Sequence, residues 1–256
     1  MKVFFCANQE TINHQNWRLL SKAIATAKVN AGLDPYLIFD GDLNHLPESF
    51  FGIKILNHTH RLSDVITSSK LNISSNHLRI MKGTYLRTEI PYLCMENGIF
   101  DDYVLYADID VIFMKGDYSV LDGIKPRFIA VAPEVNKDDW SYFNAGIMLM
   151  NLDGNFLKDD EILRLIKENI NEYDVFDQTM YNKIYSDSFD RLPLEFNWKC
   201  YWGINDDARI IHYHGAKPRA VEGHLRYNLD IVKEIRNQDI SSYEYYNSIW
   251  NNMPDL

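Results

Sequence analysis

The sequence predicts an α/β protein built on a parallel sheet with crossover helices, and three observations carry that prediction. Apolar runs alternate with segments of helical periodicity from the first residues on, which is the pattern of strands joined by crossing helices. A chain of 256 residues, 46% hydrophobic and 24% charged, has the composition of a globular protein with a sizeable core. The run YVLYADIDVIF, Tyr103 to Phe113, sets two aspartates into an otherwise apolar stretch of buried-strand character.

In order along the chain, KVFFCA reads as a buried first strand and NWRLLSKAIATAKVNAG as the helix after it. Leu19, Leu20, Ala23, Ile24 and Ala27 recur at helical spacing, and Gly32 closes the helix. DPYLIFDGD gives a second strand ending in a turn, and FFGIKILNH a third. Residues 57–76 are rich in Ser, Asn and His and read as a flexible loop or insertion. HLRIMKGTYLRTEIPYLCMENG predicts one helix through Pro91 to Gly98, and the run with the two aspartates follows as a strand. RFIAVAPE and AGIMLMNLD predict two more strands, and DDEILRLIKENINEY an amphipathic helix. From DRLPLEFNW to ARIIHYHGAKPRA the pattern is irregular. The last stretch is polar and aromatic, so the expected organisation is one domain over 1–220 and a C-terminal helical appendage over 221–256.

Composition narrows the function. The net charge is −10, from 26 basic and 36 acidic residues, with no basic run, so nucleic acid and anionic membranes are poor partners. Residues 226–256 hold Arg226, Lys233 and Arg236 against five acidic groups, which disfavours a membrane-docking tail. Cys6, Cys94 and Cys200 are scattered and odd in number, which excludes a metal knuckle and suits a reducing compartment. The start turns polar too soon for a signal peptide, and no apolar run approaches the ~20 residues needed to span a bilayer. The expected location is the cytoplasm, where the sequons at Asn57 and Asn72 have no role.

Two carboxylates one residue apart in an apolar run repel each other and are costly to bury. Ligands of open α/β sheets bind at the carboxyl ends of strands, and Asp108 and Asp110 stand where YVLYA gives out. On an extended chain, residues two apart point to the same side. A divalent cation between them removes the repulsion. Oxygen ligands suit Mn²⁺ or Mg²⁺, ions that often bridge carboxylates to phosphate oxygens. Asp-x-Asp alone is common in acidic turns; the apolar flanks on both sides are what distinguish this one.

YVLYADIDVIF resembles the Asp-x-Asp strand of family-8 glycosyltransferases, the group that includes glycogenin and bacterial lipopolysaccharide galactosyltransferases. Four further segments are similar to that family in the expected order: YLRTEIP (85–91), YFNAGIMLMNL (142–152), DQTMYN (177–182) and HYHGAKP (212–218). The resemblance covers roughly residues 2–220. It implies a GT-A fold, the nucleotide-diphospho-sugar transferase sandwich around a mostly parallel sheet. It also implies retaining transfer of a hexose from a nucleotide-sugar, usually a UDP-sugar, to a glycan or glycolipid acceptor, with Mn²⁺ (or Mg²⁺) bound.

Residue by residue, the resemblance gives the metal to Asp108, Asp110 and His212, and the diphosphate to Lys217 and the backbone around Gly215. It gives the uridine to Ala7 and Asn8, the phosphate or donor sugar to Arg87, and the sugar and its reacting face to Asn144, Asp177 and Gln178. An amide, Gln178, where a covalent mechanism needs a carboxylate, favours front-face attack by the acceptor hydroxyl. The chain departs from the family at Asn8, where an aspartate is usual, and at Arg219, where a tryptophan is usual. Plainer readings stand beside these: Asp177 as a helix cap, Arg87 as a surface arginine, Asn144 as a strand-turn cap, His212 as a core-edge histidine. His214 stays outside the metal set, and Trp198, Tyr201 and Trp202 read as packing. Acceptor contacts are expected from 57–76 and 196–207. The alternative function is a catalytically silent sugar-nucleotide or glycan-binding protein.

Overall fold

The computed structural model describes residues 1–13, 16–68, 82–172, 176–218 and 240–256. Its elements begin β1 (Lys2–Asn8), α1 (Gln9–Asn13), α2 (Trp17–Val29), β2 (Asp34–Asp40), β3 (Lys54–Asn57), α3 (Ser63–Thr67) and α4 (Ile90–Glu96). They continue with β4 (Tyr103–Ala107), β5 (Val111–Phe113), β6 (Ile129–Pro133), β7 (Phe143–Asn151), α5 (Leu152–Phe156), α6 (Asp159–Asn169) and α7 (Phe176–Tyr185). Short strands β8 (Asp190–Arg191), β9 (Trp198–Lys199) and β10 (Ile210–His212) follow, and α8 (Ile240–Asn251) closes the series. The large sheet runs β3-β2-β1-β4-β7-β6-β8 and the small one β5-β10-β9. β3, β2, β1 and β4 are mutually parallel, and β7 runs antiparallel to β4 and β6.

The alternation of side chains along each strand explains the apolar runs. Val3, Phe5 and Ala7 of β1 and Leu105 and Ala107 of β4 pack on one face with Leu20, Ala23, Ile24 and Ala27 of α2. Phe4, Cys6, Val104 and Tyr106 pack on the other with Leu86, Ile90, Ile162, Ile166 and Tyr181. A sheet covered on both faces needs apolar residues at every position, so its strands show no alternation in the sequence. Burying each large side chain is worth about 1.5–3 kcal/mol. The apolar frame carries stability, and strand ends are left for polar chemistry.

Three expectations change. The run 103–113 is two strands in two sheets: β4 stops at Ala107, and β5 pairs with β10 in the small sheet. Val111 and Phe113 face the core under α2, while Ile112 packs with Trp198, Ile211, Tyr213, Tyr243, Tyr246 and Trp250. The helix expected through Pro91 is broken, because 3-10 geometry at Leu86–Glu89 precedes α4 and Pro91 sits in the first turn of α4. Proline lacks the N–H that a helix interior needs and is tolerated at a start. Residues 57–68 of the expected loop are firmly held, with a helical turn at α3; residues 69–76 of that loop, and Arg219, lie outside the described residues.

That segment is tied down by a buried carboxylate. Glu89, with no exposed surface, meets His58 Nε2 and Arg61 Nε, both at 2.8 Å. Arg61 forks onto Asp159 at the start of α6 at 2.6 and 2.7 Å. His60 is buried, accepts Leu62 N–H on Nδ1 at 2.9 Å, and sets Nε2 3.0 Å from Thr88 Oγ1. Burial pushes its pKa down from 6.5 to about 4. The unfolded chain therefore takes up this proton first, and stability that is full above about pH 6.5 drains as pH falls toward 4. Between pH 7 and pH 5 the expected loss is about 2 kcal/mol. Urea unfolding at the two pH values checks this, and the loss should shrink by about that amount in His60→Gln.

Candidate active site

The break between β4 and β5 builds the centre of the site. Asp108 follows the last residue of β4 in the large sheet and Asp110 precedes the first residue of β5 in the small one, so the pair straddles the junction. Register then brings in the rest. β10 runs antiparallel to β5 with His212 opposite Val111, which sets His212 beside Asp110, and Tyr213 N–H bonds Asp110 O at 2.9 Å. β7 runs antiparallel to β4 with Ile147 opposite Ala107, which sets Gly146 beside Asp108. Asp108 N–H bonds Gly146 O at 2.7 Å.

Asp108, Asp110 and His212 each offer one ligand atom within 4.8 Å of the others. Two carboxylate oxygens and one imidazole nitrogen form a donor set that fits a divalent cation. Gly146 keeps the space open. A Cβ there would stand 2.4 Å from His212 Cε1 and 2.8 Å from Asp108 Oδ2.

Each aspartate has its own cation. Arg87, 4% exposed, sets Nη2 3.0 Å from Asp108 Oδ1 and Nε 2.9 Å from Asp177 Oδ2. Its Nε–H is spent on Thr84 O at 3.0 Å and its Nη1 donates to Ala145 O at 2.6 Å, so Asp177 Oδ2 is paired by charge without a hydrogen bond from Nε. The guanidinium stacks 4.6 Å above the Tyr106 ring, and Tyr106 Oη donates to Asp108. Lys217 Nζ contacts Asp110 and also donates to Tyr213 O at 2.9 Å.

Burial and neighbouring charges together set the direction of each shift. It opposes ionisation of Asp110, yet Lys217 and His212 outweigh it and hold this carboxyl below the usual carboxylate range. Asp108 is pushed up by burial and by the charge of Asp110, with Arg87 opposing. Its side chain is 28% exposed, so the desolvation is milder than at Asp110. Burial also raises Asp177.

Gln178 and Asn182, one turn apart on α7, serve as a substitute strand edge for β7. Gln178 Oε1 accepts Ala145 N–H at 3.0 Å, and Asn182 pairs with both N–H and C=O of Phe143. The pairing of β4 with β7 ends at Ala107 opposite Ile147, and the register of β7 with β6 shifts between Ala130 and Ala132, so these side chains meet β7 backbone groups outside the regular ladder; buried backbone groups must be satisfied. With Oε1 committed, Gln178 has its NH₂ as the end available to a ligand. Asn144 Nδ2 donates to Glu134 Oε2 at 2.7 Å and to Gln178 Oε1 at 3.2 Å.

The metal-ligand candidates, both cations, Asp177, Gln178, Asn144 and Glu134 line one cavity of about 700 Å³. Of the residues named from the sequence, Asn8, Arg87, Asp108, Asp110, Asn144, Asp177, Gln178, His212 and Lys217 meet there. Ala7 does not, because its methyl is buried in the core against α2; alternation along β1 sends its neighbours Cys6 and Asn8 to the cavity. Asn8 also caps α1, accepting Thr11 N–H on Oδ1 at 3.2 Å. Gly215 lies in the turn leading to Lys217 at φ 97°, a conformation that favours glycine. Arg87 is a buried double ion-pair partner and not a surface residue. Trp198 and Tyr201 are buried, as expected for packing.

Sequence reasoning passed over three residues. Glu134 follows the carboxyl end of β6 and holds Asn144 and His214, the latter at 3.0 Å. The strand-end rule that marks Asp108 marks Glu134 equally. Asn197 lies behind His212, and Gly146 makes the space between ligands; neither carries a local signal in the sequence.

A family model described as glycosyl transferase family 8 matches residues 40–218. The chain belongs to that family. This family-8 chain matches no curated protein at a significant level. Among solved structures it resembles the galactosyltransferase LgtC, determined with donor and acceptor sugar analogues, at TM-score 0.67 and 15% identity, covering 100% of this chain and 97% of that one. It also resembles the glycosyltransferase GlyE of Streptococcus pneumoniae TIGR4, at TM-score 0.62 and 19% identity over 98% of this chain, and spans 63% of the length of that protein. Mouse xyloside xylosyltransferase 1 matches at TM-score 0.54 and 14% identity, covering 82% of this chain and 96% of that one. At these identities the likeness concerns the fold, a GT-A α/β sandwich. Among the described residues, no helix is long and apolar enough to cross a membrane.

Proposed function

We propose that this family-8 glycosyltransferase moves a hexose from a UDP-sugar to a glycan or glycolipid acceptor, with retention and with Mn²⁺ (or Mg²⁺) bound, in the cytoplasm. One observation carries the reading: Asp108, Asp110 and His212 converge within 4.8 Å in the same cavity as Arg87, Lys217, Asn144, Asp177 and Gln178. The leaving group is a nucleoside diphosphate, and its growing negative charge is the main barrier. A bound divalent cation supplies Lewis-acid stabilisation of that charge. Lys217 adds a preorganised ammonium from the far side of Asp110, and Asn8, next to the buried Ala7, meets the nucleoside end.

Arg87 holds Asp108 and Asp177 in fixed positions, so that Asp177 and Asn144 orient sugar hydroxyls. Gln178, its oxygen committed to Ala145 N–H and Asn144 NH₂, offers its own NH₂ to the reacting face, and that end has no nucleophilic lone pair for attack on the anomeric carbon. That supports front-face entry of the acceptor hydroxyl on the side the diphosphate leaves. The division into a catalytic unit, 1–220, and a helical appendage, 221–256, belongs to the same proposal; within the appendage the helix at Ile240–Asn251 packs on the small sheet through Tyr243, Tyr246 and Trp250.

Thermal unfolding with UDP, ADP and GDP, each with and without Mn²⁺, tests the ligand class. A nucleotide at ~100 times its Kd adds about 2.7 kcal/mol, worth roughly 5–10 °C for a chain of this size. A rise with UDP that requires Mn²⁺ is expected. No rise with any nucleotide would contradict the proposal.

A further inference from the structure

Behind His212 runs a line of buried amides whose orientation can be read from its outer end. Glu134 Oε2 lies 2.7 Å from Asn144 Nδ2, and a carboxylate accepts only from the NH₂ end of an amide. Gly146 N–H, which only donates, meets Asn144 Oδ1 at 3.1 Å. Asn144 therefore turns its oxygen toward Asn197, which answers with its own NH₂ at 3.1 Å. The oxygen of Asn197 is left facing His212 Nδ1 at 3.0 Å. An amide oxygen accepts and never donates, so His212 carries its proton on Nδ1. Nε2, 3.4 Å from Asp110 Oδ1, keeps its lone pair on the side of the two aspartates. Asn197 and Asn144 are both nearly inaccessible, at 0% and 2% exposure, so no solvent competes for these bonds.

We propose that Asn197 is a positioning residue of the cation site: anchored through Asn144 on Glu134, it fixes the tautomer and ring plane of His212 so that Nε2 is presented as a metal ligand. The inference rests on the divalent-cation reading of Asp108, Asp110 and His212. It follows the general rule that a ligating histidine is oriented by a hydrogen bond at its other nitrogen. It also joins the two halves of the cavity, since Asn144 contacts Gln178 and, through Asn197, the imidazole.

The test compares wild type with Asn197→Leu, which keeps the branched shape but neither donates nor accepts, and Asn197→Asp, whose carboxyl keeps an acceptor for Nδ1–H and, in its protonated form, a donor to Asn144 Oδ1. Mn²⁺ affinity is measured by calorimetry without nucleotide, and the His212 tautomer by ¹⁵N-edited NMR after EDTA treatment. Expected are an Nδ1–H tautomer in wild type and in Asn197→Asp, with Mn²⁺ affinity at least retained in the latter. Asn197→Leu should mix tautomers and bind Mn²⁺ about 10–100-fold more weakly. Undiminished binding in Asn197→Leu, or equal loss in both variants, would overturn the proposal. An Nε2–H tautomer in wild type would overturn it alone, even if Asn197→Leu failed to fold. Wild type that binds no Mn²⁺ would sink the cation reading and this inference together.

Discussion

Replacing Arg87 by leucine should destabilise the protein by about 3–5 kcal/mol, the cost of leaving buried charges without their partner. Two carboxylates depend on this one guanidinium: Asp108 at 3.0 Å and Asp177 at 2.9 Å, with Arg87 itself 4% exposed. Burial opposes the charge of Arg87, but Asp108 and Asp177 outweigh it and hold its pKa above the ordinary value. At about 2–4 °C per kcal/mol, the expected fall in Tm is roughly 6–20 °C. The sign with pH is distinctive. Without Arg87, the folded-state pKa values of Asp108 and Asp177 rise further above their unfolded values, so protonation favours the fold and the deficit shrinks as pH falls from 7 toward 5. Denaturant unfolding of both proteins at the two pH values measures this; a loss under about 1 kcal/mol would mean the pairs do not carry their charges.

Asp110→Asn should behave in the opposite way, with a large effect on function and a small one on the fold. The substitution removes a carboxylate oxygen from the Asp108–Asp110–His212 set and the partner of Lys217. Losing that share of charge stabilisation is expected to lower turnover about 10³-fold, with Mn²⁺ affinity falling in parallel. Stability should change by only about 1 kcal/mol. The Lys217 side chain is 41% exposed, so screening limits what its pair contributes, and the repulsion between Asp108 and Asp110 is relieved. Calorimetric Mn²⁺ titration and denaturant unfolding of the same preparation separate the two effects. A fold lost with the function would mean that Asp110 is structural.

The contrast between these residues bears on what a sequence displays. Asp108 and Asp110 are legible because charge inside an apolar run contradicts burial, and such a contradiction needs a purpose. The parallel sheet is legible for the related reason that its strands are apolar throughout. Arg87 reads as one basic residue on an amphipathic segment; its burial follows from where the 3-10 turn Leu86–Glu89, β4, β7 and α7 meet. The break of 103–113 between two sheets is hidden because VIF is apolar in either sheet, and only the pairing of β5 with β10 decides. Asn197 and Gly146 are hidden further. Their roles depend on a register that sets them against His212 and Asp108 across long stretches of chain, and neither residue type is unusual where it stands. Glu134 could have been found, since it ends a strand as Asp108 does. Ala7 comes with Asn8 from the family resemblance at the end of β1, but alternation along the strand turns its side chain into the core.

The proposed activity is Mn²⁺-dependent transfer of a hexose from a UDP-sugar with its anomeric configuration kept. The most direct measurement is to incubate the protein with a panel of UDP-hexoses and glycan or glycolipid acceptors, following UDP release and the anomeric proton by NMR. The predicted result is release of UDP from at least one donor, abolished by EDTA and restored by Mn²⁺, with the product in the donor's anomeric configuration. An inverted product, or no release from any donor, would contradict it, the second outcome leaving a sugar-nucleotide-binding protein without turnover.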